Sequence, residues 1–185
     1  MAMRITLILV AVLLIGVISS PCMAEIYTQK TGPFTIQVTS EEAVEFIDII
    51  DPYPVDNFNA YDVNFDVGDK HWEIEIQDYG RSINIESLMP SILNFFPTWI
   101  GYYTSWETAD VGGKPGLIGI RENGGTDKNG VKIDRGFVAA YSPDGFGNQG
   151  TIIAIMDIIA TADSFKEDKA KFESVVKDIR ISKTV

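Results

Sequence analysis

Hydrophobic and polar residues alternate along several stretches of the chain, and this alternation predicts β-strands. Phe34, Ile36 and Val38 alternate with polar residues, as in a strand with one buried face. The same alternation runs through residues 61–67 and 72–77, on either side of Gly68-Asp69. We therefore predict a β-hairpin there, with one apolar face and one acidic face.

The most apolar run outside the N-terminus is GTIIAIMDIIA at residues 150–160. A run this short, made mostly of β-branched and small residues, is typical of a strand buried on both faces. We predict that it lies at the centre of a sheet. Further strands are predicted at residues 34–39, 99–108, 117–122, 132–142 and 178–182, separated by glycine-rich turns.

Three stretches carry helix signals. Ser40 is a candidate N-cap for a helix ending at Pro52, because apolar residues follow at helical spacing: Ala43, Phe46, Ile47 and Ile50. Ser87 begins a second candidate that extends to about residue 96. Ser164 and Glu167 form a capping box for a third, at residues 164–176. Together these elements predict an α+β fold, in which a mostly antiparallel sheet is flanked by helices.

The N-terminus has the three regions of a secretory signal peptide. Arg4 precedes an apolar run at residues 5–18, and Cys22-Met23-Ala24 supplies small residues for cleavage before Glu25. We predict that residues 1–24 are the signal and that residues 25–185 form a single exported domain. An uncleaved membrane anchor is the alternative. Cys22 is the sole cysteine, so no disulfide is expected in the mature domain.

The chain is strongly acidic, with 26 acidic and 15 basic residues and a formal net charge of −11. Such a chain is repelled by nucleic acids and by anionic membrane surfaces. We expect a secreted protein, or one on the outer face of the cell membrane, that touches the membrane only through an uncleaved N-terminal segment. The negative charge does not exclude binding to cations or to basic partners.

No catalytic residues are predicted. His71 is the single histidine, and the chain has no G-x-S-x-G motif and no Cys/His metal cluster. Residues 145–150 match G-x-G-x-x-G, but the third glycine opens a strand and not a helix, so a hairpin turn is the better interpretation. Catalysis by a pair of carboxylates stays open.

Two groups of residues are candidates for binding. The acidic face of the predicted hairpin could hold a cation such as calcium, since opposed like charges destabilise a sheet unless something screens them. A cluster of aromatic residues on a predicted strand could form a stacking surface, although such clusters are more often core. The acidic candidates are Asp62, Asp66, Asp69, Glu73 and Glu75, and the aromatic ones are Trp99, Tyr102, Tyr103 and Trp106.

The order of elements resembles that of the PsbP-like family across residues 33–182. The residues that carry the resemblance are Gly113-Lys114-Pro115-Gly116 between two strands, then an apolar strand, and then Phe172, Val175, Val176, Ile179 and Ile181. The resemblance implies an α/β/α sandwich and a binding role, because the characterised members are an extrinsic photosystem subunit and a Ran-binding nuclear transport factor. It assigns no functional residue here. The chain is also similar to small exported proteins of methanogenic archaea.

These observations predict a non-enzymatic binding or accessory domain at the cell surface, whose partner is a protein or a component of the cell envelope. Two alternatives stay open. One is a structural surface protein that self-assembles, and the other is a hydrolase that uses carboxylates.

Overall fold

Eleven strands and a C-terminal helix organise the computed structural model, which describes residues 23–50, 52–88, 103–122, 135–146, 149–160 and 165–184. The helix, α1, is Phe165–Asp178, and residues 85–88 are also helical. The strands are β1 Glu25–Thr31, β2 Phe34–Ser40, β3 Val44–Ile49, β4 Tyr53–Val55, β5 Phe58–Val67, β6 Lys70–Asn84, β7 Tyr103–Val111, β8 Lys114–Glu122, β9 Arg135–Tyr141, β10 Gln149–Ala160 and β11 Arg180–Lys183.

The strands form two sheets in which all pairs are antiparallel. The small sheet has the order β1-β2-β11. The large sheet has the order β3-β5-β6-β10-β9-β8-β7, and β4 also pairs with β5. Strand β10 lies between β6 and β9, so the prediction of a central strand at residues 150–160 is confirmed.

The main core lies between one face of the large sheet and a second layer made of the small sheet and α1. Alternate residues of β5 and β6 reach this core, as do Phe34 and Ile36 of β2. The ring of Phe172 from α1 stacks on Trp72 of β6, with centroids 5.3 Å apart and planes 7° apart. Fully burying a large apolar side chain contributes about 1.5–3 kcal/mol, so these residues join the layers.

The predicted α+β class, and with it the α/β/α sandwich implied by the family resemblance, is wrong. The structure is β-rich: strands dominate the described chain, and α1 is the sole long helix among the residues that the structure describes. One helix does not flank a sheet on both sides. The protein instead packs sheet against sheet, with α1 completing the second layer.

The helix predicted after Ser40 is a strand, β3. Val44 pairs with Val67 of β5, and the rings of Phe46 and Phe65 lie 5.6 Å apart. The register shifts after Phe46, and this bulge breaks the period-two alternation, leaving apolar residues at spacings that imitate a helix. Ser40 does accept a hydrogen bond from the Glu42 backbone N–H at 3.0 Å, but in a turn.

The other predictions have mixed outcomes. Strand β2, the β5–β6 hairpin and the C-terminal helix are confirmed, and α1 buries Phe172, Val175 and Val176. Of the helix predicted to begin at Ser87, the structure describes helical residues 85–88, and the remainder lies outside the described residues. The predicted signal, apart from Met23 and Ala24, lies outside them too.

A second, smaller apolar cluster lies on the opposite face of the large sheet. It contains Ile85 from the helical residues together with Leu117, Val138 and Ala140 from β8 and β9. This opposite face therefore has an apolar part near β8 and β9.

Within the described ranges, no helix is long and apolar enough to span a membrane.

Candidate functional site

The β5–β6 hairpin brings the predicted acidic residues together. Asp62 lies opposite Glu75, Asn64 opposite Glu73, and Asp66 opposite His71. Because alternate residues of a strand share a face, these residues lie on the face opposite the main core. Asp69 lies in the turn that joins the two strands.

Burial separates the five acidic candidates into two groups. Asp62 and Glu75 are each only 5% exposed, and Glu73 is half-buried. We call these three the carboxylate cluster. Asp66 and Asp69 are more open, and both already contact basic groups: Asp66 lies 2.9 Å from His71 Nδ1, and Asp69 lies 3.7 Å from Lys171 Nζ.

Hydrogen bonds fix part of the carboxylate cluster. The Tyr53 hydroxyl, from β4, donates to Asp62 Oδ2 at 2.8 Å. Gln77 Nε2 donates to Glu75 Oε1, and the Tyr79 hydroxyl donates to Gln77 Oε1 at 2.8 Å. The second oxygen of Asp62, Oδ1, is buried and has no hydrogen-bond partner within the described structure. An unpaired buried acceptor is unfavourable, and it marks a position that a donor or a cation would stabilise.

The surroundings raise the pKa of all three carboxyls. Burial is the main cause in each case. The hydrogen bond from Tyr53 opposes the rise in the pKa of Asp62, and the one from Gln77 opposes it for Glu75. The negative charge of Asp62 raises the pKa of both Glu73 and Glu75 further. The described chain places no lysine or arginine within ion-pair distance of the three.

A metal site is not preassembled in the described part of the protein. No group of three or more histidine, cysteine, aspartate or glutamate side chains has an arrangement that could hold a metal ion there. An ion at the carboxylate cluster would therefore need the side chains to move, with water supplying further ligands.

The predicted aromatic surface is only partly described. Trp106 lies on β7, paired in register with Gly119 of β8, and is 46% exposed. Tyr103 begins β7. Trp99 and Tyr102 lie outside the described residues, so the stacking surface remains a prediction.

Of the glycine-rich residues 145–150, Gly145 and Phe146 follow β9, and Gln149 and Gly150 begin β10, so the third glycine lies in a strand as predicted. Phe146 and Gln149 form a short bridge, and Asp144 accepts hydrogen bonds from the backbone N–H groups of Thr151 and Ile152 at 3.0–3.2 Å. These donors, which a phosphate would need, are already used by a carboxylate.

Sequence reasoning missed a cleft where β5 begins, beside residues 78–80 of β6. Its volume is about 390 Å³, and its lining residues are Val55, Asn57, Phe58, Asn59, Asp78, Tyr79, Gly80 and Lys183. Lys183 of β11 donates to Asp78 Oδ2 at 2.6 Å, and the rings of Phe58 and Tyr79 lie 5.0 Å apart. No spacing in the sequence could have predicted a pair formed by residues 105 positions apart.

No family model, curated protein or solved structure matches this chain. Its function must therefore be argued from its own residues.

The raised carboxyl pKa values predict that stability changes with pH. A carboxyl whose pKa is raised by folding contributes stability at low pH and loses that contribution as pH rises through its folded-state pKa. The pKa of Asp144 is lowered despite partial burial, because Thr151, Ile152 and Ser142 donate hydrogen bonds to it, so its contribution is lost as pH falls. We expect the melting temperature to peak at mildly acidic pH and to fall from there to pH 8.

Single substitutions separate the two limbs of this profile. Glu75→Gln should reduce the fall in melting temperature above about pH 4.3, the ordinary pKa of such a carboxyl. Asp144→Asn should remove part of the loss of melting temperature below that pH. Glu107→Gln, at an exposed position on β7, is the control and should leave the shape unchanged. A Glu75→Gln profile that coincides with that of the unmodified protein would contradict the role given to the carboxylate cluster.

Proposed function

We propose that this chain is an exported, non-enzymatic binding domain that takes a cation at the carboxylate cluster. The observation that carries the proposal is Asp62: its side chain is buried, its Oδ1 lacks a hydrogen-bond partner among the described residues, and it lies opposite Glu75. Export rests on the signal-like N-terminus, and it places the domain in a compartment where calcium is abundant relative to the cytoplasm.

The energetic argument concerns unbalanced charge. When all three carboxyls are ionised, two buried negative charges face each other across β5 and β6, and Glu73 adds a third. Coulomb repulsion at short range is strong where water is excluded. A bound cation replaces this repulsion with attraction, and it supplies the partner that Asp62 Oδ1 lacks. Calcium suits the oxygen ligands and tolerates irregular coordination, with water completing its shell.

Calcium should therefore stabilise the folded protein more than sodium does at equal ionic strength. A ligand that binds only the folded state adds RT ln(1 + [L]/Kd), or about 2.7 kcal/mol at a hundredfold excess over Kd. For a domain of this size, this raises the melting temperature by about 5–10 °C. The measurement is thermal unfolding followed by circular dichroism, in millimolar calcium and in a matched sodium buffer.

Two double variants identify the site. Glu73→Gln with Glu75→Gln removes two charges from the carboxylate cluster and should abolish the difference between calcium and sodium. Asp66→Asn with Asp69→Asn removes the same charge from the outer residues and should preserve it. Equal melting curves in the two salts for the unmodified protein would overturn the proposal, and loss of the difference in the outer variant would place the ion elsewhere on the hairpin.

The hydrolase alternative has one observation in its favour, since carboxyls with raised pKa values are suited to proton transfer. The access of a substrate to these carboxyls argues against a hydrolase. Asp62 and Glu75 are buried, and the cleft described above is lined by Asp78, whose Oδ2 accepts a hydrogen bond from Lys183. A hydrolase must place its substrate beside the catalytic carboxyls, whereas a cation-binding domain has no such requirement.

A further inference from the structure

Exposed apolar side chains gather along one edge of the large sheet. Ile47 and Ile49 of β3 are 53% and 42% exposed, and three more exposed apolar residues continue along the same edge: Ile50, Tyr53 and Val55. Most other large apolar residues of the described chain lie in the two core clusters. Exposed apolar residues grouped at one edge are typical of a surface that another chain covers.

The backbone of this edge is open as well. Strands β3 and β4 both pair with β5, and within the described ranges no strand pairs with their other side. The Ala43 carbonyl accepts from Gly68 N–H, and Ile50 N–H donates to the Asp62 carbonyl, each at 3.1 Å. Because backbone groups alternate in direction along an antiparallel strand, those of Val44, Phe46 and Ile49 point away from β5. An added strand would find its hydrogen-bond partners there.

The edge also has features that restrict what can pair with it. A bulge follows Phe46, and Pro54 interrupts β4. Bulges and prolines protect edges from indiscriminate pairing, and Pro54 limits a partner to the length of β3.

Charge selects the partner. Glu45 and Asp48 are exposed on β3, Asp66 lies opposite Glu45, and the whole chain carries a formal net charge of −11. Two copies joined through this edge would bring these like charges together, which destabilises a strand pair. A partner with lysine or arginine at alternate positions would neutralise them and would cover the isoleucines with its remaining side chains.

We propose that the β3 edge docks an extended segment of a partner protein, in which apolar residues alternate with basic ones, and that this segment adds a strand to the large sheet. This surface borders the carboxylate cluster through Tyr53 but uses none of the three carboxylates, and the proposal goes beyond cation binding.

A ten-residue peptide of alternating lysine and valine, labelled with fluorescein, is the probe. Fluorescence anisotropy should show saturable binding to the full-length protein, weakening as salt is added. A peptide of alternating glutamate and valine should not bind. A lysine–valine peptide that is N-methylated at alternate residues should bind at least tenfold more weakly, because it cannot form the ladder of hydrogen bonds.

The variant Ile47→Lys with Ile49→Lys should weaken binding of the lysine–valine peptide at least tenfold. The control, Ile26→Lys with Phe146→Lys, changes the same number of exposed apolar residues at other places and should bind normally. Circular dichroism should show both variants folded, since all four positions are exposed. The Glu73→Gln, Glu75→Gln variant should also bind normally, so that this test and the calcium test can fail separately.

Three outcomes would overturn the proposal. The first is the absence of binding by the lysine–valine peptide, and the second is equal binding by the β3 variant or by the N-methylated peptide. The third is an increase in the apparent size of the unmodified protein with concentration in size-exclusion chromatography, which the β3 variant does not show. That result would make a second copy of this chain the occupant of the edge.

Discussion

The substitution Phe172→Ala is expected to lower the free energy of unfolding by about 3–5 kcal/mol, a large part of the 5–15 kcal/mol typical of a domain. Phe172 is fully buried, and its ring lies between Trp72 of β6 and Phe137 of β9, with centroid distances of 5.3 and 5.5 Å. Removing the ring leaves a cavity between α1 and the large sheet. Urea unfolding followed by circular dichroism measures the loss.

The neighbouring residue provides the control for this substitution. Glu173→Ala changes an exposed side chain whose ion pair with Lys169 spans 3.4 Å, and it should change stability by at most about 0.5 kcal/mol. A loss below about 1 kcal/mol for Phe172→Ala would show that α1 is not packed on the sheet through this ring.

The substitution Gly112→Ala should destabilise the protein by more than backbone strain alone. Gly112 has φ +63°, and a Cβ atom there would lie 2.5 Å from the ring of Tyr141, which is buried and cannot easily move. Left-handed backbone costs an alanine about 1–2 kcal/mol, and overpacking adds about 1–3 kcal/mol. We expect a total of about 2–5 kcal/mol in the same urea measurement.

Gly80 is a matched control because it isolates the backbone contribution. Its φ is +61°, and a Cβ atom there would meet nothing within 4 Å. Gly80→Ala should therefore lose only the strain of about 1–2 kcal/mol. If the two alanine variants are equally stable, the turn between β7 and β8 is not packed against Tyr141 as the structure places it.

The parts of the fold that could be predicted are those in which a single period runs unbroken. The β5–β6 hairpin alternates over residues 61–67 and 72–77, and α1 keeps Phe172 and Val176 on one face. Strand β3 could not be predicted, because a bulge after Phe46 changes its period. Strand β4 has only three residues, one of them Pro54, and pairing with β5 defines it.

The candidate site was predictable in its composition but not in its burial. Alternation alone places Asp62, Asp66, Glu73 and Glu75 on one face. Which of them lose contact with water depends on residues brought by other contacts, such as Tyr53 from β4. Sequence patterns report the period of a strand and not the neighbours that cover it, so the burial of Asp62 and Glu75 could not be predicted.

The central position of β10 also determines the order in which the protein can assemble. Its partner β6 precedes it by about 80 residues, as in the pair of Ile76 with Ala154, whereas β5–β6 and β8–β9 join neighbouring parts of the chain. Hairpins can form early, but the large sheet stays in two halves until β10 closes a long loop between them. We expect slow folding, on a scale of about milliseconds to seconds, limited by this step. During synthesis, β6 would present an unpaired, apolar edge until nearly the whole chain has emerged, and this is the interval in which the protein is most exposed to aggregation.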